Sequence, residues 1–128
     1  MVTNLGNIYK DQGKLVDAER MYMRALQGYE KALGAEHTST LDTVSNLGVL
    51  YKNQGKLVEA ERMYMRALQG YENALGAENV ATYRPTLNTV VNLGCLYRGQ
   101  AKLAEAESMF SRALIGFQAS LGPSHEMC

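Results

Sequence analysis

The side chains able to do chemistry are few and scattered. His37 and His125 are the only histidines, and Cys95 and Cys128 the only cysteines. A metal site needs several such ligands at short spacing, as in a Cys-x-x-Cys pair, and these four residues offer no such set. A cysteine nucleophile needs a nearby base or cation to become a thiolate. Cys95 follows Gly94 in an apolar segment with no histidine near it in sequence, so it reads as a small packing or wall residue. Glu19 and Glu61 recur at one place in a repeated pattern and read as a solvated helix face rather than an acid–base pair. No phosphate-cradling glycine loop and no nucleophile–base arrangement is present. The expectation is a chain that is not an enzyme and uses no cofactor and no metal. What remains is recognition by side-chain amides and cations, and that depends on the elements that array them.

Bulk composition agrees with recognition of protein. An apolar fraction of 46% over 128 residues supports one packed domain. Thirteen Lys and Arg balance thirteen Asp and Glu, so no positive field exists to attract a phosphate backbone, and nucleic acid is an unexpected partner. No apolar run approaches the roughly 20 residues of a membrane span, and Met1 to Lys10 do not read as a signal sequence. A cytoplasmic location without membrane contact is expected, and two widely separated cysteines suit a reducing compartment.

The chain is one unit written three times. Met1 to Glu36 aligned with Thr43 to Glu78, an offset of 42, differ at only seven of 36 positions. The third copy follows the second at an offset of 46: Asn4-Leu5-Gly6, Asn46-Leu47-Gly48 and Asn92-Leu93-Gly94 open the copies, with Tyr9, Tyr51 and Tyr97 behind them. The extra four residues fall in Asn79 to Pro85, which predicts a longer inter-repeat loop whose proline starts the next helix. A period of this length marks a solenoid. The repeats are placed at 1–37, 38–79 and 84–122, with a tail at 123–128.

Within the second copy, Leu47, Leu50 and Tyr51 recur at helical spacing, and Asn53-Gln54-Gly55-Lys56 then breaks the pattern with a capping glycine. Leu57, Ala60, Tyr64, Ala67, Leu68, Tyr71 and Leu75 form a second apolar stripe that ends at Gly76. Each copy therefore reads as helix A, turn, helix B, with Tyr22, Tyr29, Tyr64 and Tyr71 as core aromatics. One hairpin buries too little to offset the entropy of about 40 residues, so the hairpins must stack. Gly48 and Gly70 are expected to admit close approach there.

The order Leu, Gly, Tyr, Gly, Ala, aromatic, Ala, met by Leu47, Gly48, Tyr51, Gly55, Ala60, Tyr64 and Ala67, resembles the tetratricopeptide repeat. The first copy carries it as Leu5, Gly6, Tyr9, Gly13, Ala18, Tyr22 and Ala25, and the third as Leu93, Gly94, Tyr97, Ala101, Ala106, Phe110 and Ala113. Val2, Val44 and Val90 stand where the family usually has an aromatic. The 42-residue length and the run Ala32-Leu33-Gly34-Ala35-Glu36-His37 are similar to kinesin light chain repeats and, more closely, to the repeat tails of fungal nucleotide-binding immune-type receptors. The resemblance implies an all-α, right-handed α-solenoid of three antiparallel helix-turn-helix repeats. The first copy has no counterpart of Ser39 to Asp42 before it, and the expectation is an excised array whose first helix A is short by a turn.

The same resemblance implies a protein-interaction module whose concave groove is lined by helix A of each repeat. It places Asn4, Asn46 and Asn92 in that groove, with Lys10, Lys52 and Arg98 along it. Asn7, Asp42, Ser45, Val49, Asn88, Val91 and Cys95 are expected to complete the wall. An asparagine amide both donates and accepts, so a ladder of them can pair with the backbone of an extended peptide. The cations would add a basic edge suited to an acidic or C-terminal carboxylate. A peptide or protein segment is the expected partner, and the alternative reading of the asparagines is a purely structural one. The alternative function is self-association through uncapped repeat ends.

Overall fold

The computed structural model describes the backbone of residues 5–121 and the side chains of residues 13–120. The helices are α1 (Leu5–Leu33), α2 (Thr38–Asn53), α3 (Leu57–Leu75), α4 (Ala77–Val80), α5 (Arg84–Gly99) and α6 (Leu103–Leu121). No strand occurs among the described residues. The chain forms the all-α helical-repeat solenoid its periodicity predicts.

The second copy folds as the expected hairpin of α2 and α3, and its ends have local causes. His37 caps α2 by accepting the Ser39 N–H on Nδ1 at 3.1 Å. His37 thus serves as a helix cap. At the other end Gly55 takes φ +79°, Lys56 N–H reaches Tyr51 O at 2.8 Å, and Gly55 N–H reaches Lys52 O at 2.9 Å. These are the two bonds of a Schellman motif. The third copy repeats them at Lys102 to Tyr97 (2.8 Å) and Ala101 to Arg98 (3.0 Å), with Ala101 held at φ +62°.

Helix α3 is the keel of the array because it buries two faces. Ala67 and Tyr71 join Leu41, Val44, Leu47 and Leu50 of α2, together with Leu26 of α1. Ala60, Tyr64 and Leu68 instead join Val90, Leu93, Leu96 and Tyr97 of α5 and Ala106 and Ala113 of α6. Burial of these faces supplies the stability that a lone hairpin lacks. The small residues act inside each hairpin rather than between hairpins. A Cβ on Gly48 would lie 2.7 Å from the Tyr64 ring, and one on Gly70 would lie 2.4 Å from Leu41. Gly94 against Phe110 repeats the first arrangement, and Gly116 against Leu87 the second.

The inserted residues do not form a simple loop. Ala77–Val80 make one helical turn, Val80 is buried in the α2–α3 core, and the Tyr83 and Tyr71 rings meet edge to face at 5.5 Å. Pro85 stands in the first turn of α5, as its fixed φ favours.

The first copy departs from the expected hairpin. Helix α1 runs unbroken for 29 residues through Asp11, Gln12 and Gly13, where a turn is predicted. The cause is tertiary. In the second copy the hairpin is held shut by buried Thr40, Leu41, Val44 and Leu47 on helix A. Breaking a helix forfeits hydrogen bonds, so a turn persists only where the packing gained exceeds them. The later part of α1 still packs as a helix B, burying Leu26 and seating Leu15, Ala18 and Tyr22 against the core. Tyr29 lies 40% exposed, so it is not the core aromatic the periodicity suggests.

Candidate functional site

Helices α2 and α5 lie side by side, and polar bonds between and beneath them set their register. Thr89 Oγ1 donates to Pro85 O at 2.9 Å, leaving Ser45 to donate to Thr89 across 3.0 Å. Tyr71 donates its phenol to Asp42 Oδ1 from α3. Burial, then that bond and the Asp42 charge, raise the Tyr71 pKa, so the phenol remains a donor.

Between the helices is a cavity of about 620 Å³. Of the residues expected in the groove, Asp42, Ser45, Asn46 and Val49 line it from α2, and Asn88, Val91 and Asn92 from α5. Asn46 and Asn88 are exposed and Asn92 is half-buried. Their amides make no hydrogen bond to any other described residue, whereas Asp42 and Ser45 are both engaged.

Other expected members lie elsewhere. Lys52 and Arg98 do not line the cavity. They occupy the last turns of α2 and α5, and ten residues of helix, about 15 Å, separate them from Asp42 and Asn88. Arg98 lies over the Phe110 ring, 5.6 Å from its centroid, beside Leu103 and Leu114. Among the described residues, therefore, neither expected cation lines this cavity, and the one formal charge on its lining is the Asp42 carboxylate. Cys95 also lies outside the lining, near enough to Tyr64 for its charge, after burial itself, to help push that phenol up to about 12. Asn7 and Lys10 belong to the continuous α1 and their side chains lie outside the described residues, as does the whole of Asn4.

Three lining residues are not evident from the sequence: Tyr71, Phe117 and Pro85. Tyr71 and Phe117 are legible as one register position on successive helices B, but a core stripe alone does not reveal that such a ring also floors the groove. Pro85 reads from sequence only as a helix start.

Among the described residues no three His, Cys, Asp or Glu side chains gather where one ion could be held. No described helix is long and apolar enough to cross a membrane.

Comparison with known proteins places this geometry in context. Tetratricopeptide repeat models match residues 1–73 and residues 86–126. The crystal structure of BtubC (BKLC) from P. vanneervenii is similar at TM-score 0.74 and 25% identity, over 90% of this chain and 44% of that one. The chain thus spans less than half the length of that relative. No curated protein matches the sequence. With the first of these models matching more than half of the chain, the chain belongs to the tetratricopeptide repeat family, whose repeats generally serve as non-catalytic protein-interaction modules.

Proposed function

We propose that the chain binds an extended segment of another protein in the cavity between α2 and α5, with Asn46, Asn88 and Asn92 meeting the segment's backbone. The observation that carries this reading is the contrast in hydrogen bonding. The groove's other polar residues, Asp42, Ser45 and Tyr71, are occupied in holding the helices in register, while the three amides bond to no other described residue. An asparagine that fixed repeat geometry would be engaged like its neighbours. Free amides on one face offer donors and acceptors to a strand whose own N–H and C=O groups lack partners.

The lining also indicates the ligand's character. Val49, Val91, Pro85 and Phe117 give an apolar floor, and the Asp42 carboxylate favours a segment bearing a donor or a cation rather than an acidic terminus. The test is a pull-down read by mass spectrometry, comparing the chain with its Asn46→Ala, Asn92→Ala variant after circular dichroism shows both folded. Partners held only by the unmodified chain support the groove. Identical catches, or loss of folding in the variant, overturn it.

A second reading, association of one chain with another through a repeat end, rests on a different contrast. Leu68 is 5% exposed beneath α5, but Leu114 at the same register of α6 is 58% exposed, beside Leu103 at 66%. That face matches the one on α3 that receives a neighbouring hairpin.

A further inference from the structure

We propose that a second cavity, at the junction of the inserted turn with the third hairpin, binds a small neutral molecule with an apolar body and one hydrogen-bonding oxygen. The cavity measures about 670 Å³, within the range of small-molecule sites. It lies away from the asparagine-lined groove and shares no lining residue with it. Val80, Leu87, Ile115 and Ala119 supply its apolar wall, and Thr86 lines it beside them.

The site arises from changes that the preceding junction lacks. There, Thr40 Oγ1 donates to Gly34 O at 2.8 Å. Thr86 is its counterpart, but the inserted turn takes the matching carbonyl away: Gly76 O accepts the Val80 N–H at 3.0 Å. The Thr86 hydroxyl is left without a partner although the residue is only 1% exposed. A buried hydroxyl in that condition favours any group able to bond it.

The outer wall has changed in the same direction. On α3, Gln69 Nε2 donates to Asn73 at 3.2 Å, and Asn73 Nδ2 donates to Glu36 at 2.8 Å, a polar bridge across the seam. The equivalent positions on α6 are Ile115 and Ala119, and Ile115 is 67% exposed. The bridge is thus replaced by apolar surface over the cavity.

Charge decides the class of ligand. The ionised side chains on the lining, Glu72 and Arg112, neutralise each other in a pair at 3.1 Å. A charged ligand would have to compete with that pair or remain unpaired against an apolar wall, so a neutral one is favoured.

The test uses Nile red, a neutral apolar dye carrying a carbonyl, titrated against the folded chain and followed by fluorescence. Saturable binding of one dye per chain is expected. Ile115→Gln with Ala119→Asn restores the residues of the second copy and should weaken binding at least tenfold with helicity retained. Thr86→Val keeps the shape of the side chain and should weaken binding severalfold. Unsaturable uptake, equal affinity in the double variant, or tighter binding of an anionic dye of similar size would overturn the proposal. Should the double variant fail to fold, Thr86→Val decides alone, and unchanged affinity there would overturn it.

Discussion

Gly13 and Gly55 occupy the same place in the first two copies, each followed by Lys-Leu-Val, yet they have different backbones. Gly55 sits at φ +79° in the turn between α2 and α3, whereas Gly13 lies inside α1 without a left-handed φ, and a Cβ added there would meet no atom within 4 Å. Replacing each by alanine therefore has opposite consequences. In a helix interior Gly→Ala gains about 1 kcal/mol. At a left-handed position a Cβ costs about 1 to 2 kcal/mol. That cost is tolerable, because Ala101 holds the equivalent position of the third copy at φ +62°. Amide hydrogen exchange reads the local effect and urea denaturation the global one. Gly13→Ala should slow exchange at neighbouring amides about fivefold, the factor that 1 kcal/mol gives. Gly55→Ala should lower the urea midpoint. If Gly13→Ala instead accelerated exchange and destabilised the chain as Gly55→Ala does, the first copy would be turning at Gly13 and the reasoning on α1 would fail. The groove would then extend towards Asn7 and Lys10.

Two further outcomes bear on the core and on association. Burial pushes Tyr64 up to about 12, and burial with the Glu61 bond does the same to Tyr97. Each raised pKa favours the neutral phenol in the folded state, so the associated stability is complete below the unfolded value of 10 and is lost as pH rises from 10 through 12. Denaturation midpoints should be level from pH 7 to 9 and fall above 10, less steeply in Tyr64→Phe, for which Phe110 is the precedent. A fall of equal steepness in that variant would remove Tyr64 from the account. If the exposed α6 face joins chains, sedimentation should give a mass that rises with concentration, and Leu114→Glu should return it to 14.1 kDa. A chain monomeric at high concentration rules that reading out.

The shared face of Asn46 and Asn92 was legible in the sequence because position in a repeat is translated directly into position on a helix face. Asn46 and Asn92 share one register of helix A, and stacking α2 beside α5 brings them to one cavity. Distance along the helix was less legible. Lys52 and Arg98 follow the same register rule, but the axial rise takes them to the far end of their helices, and Arg98 settles over Phe110. Tyr71 and Phe117 entered from helix B, whose apolar stripe carries no sign of which core rings also line the cavity.

The sequence by itself determined the helical period, the repeat offsets, the proline start of α5 and the glycine-capped ends of α2 and α3, because each depends on bonds and sterics within a few residues. Tertiary structure decided whether a turn-forming segment turns. Gln12-Gly13-Lys14 and Gln54-Gly55-Lys56 are the same three residues in the same order, yet one stays helical and the other folds back. Where the segment folds back, Thr40, Leu41 and Val44 are buried against helix B, a gain made between residues distant in sequence, which offsets the hydrogen bonds surrendered at the turn.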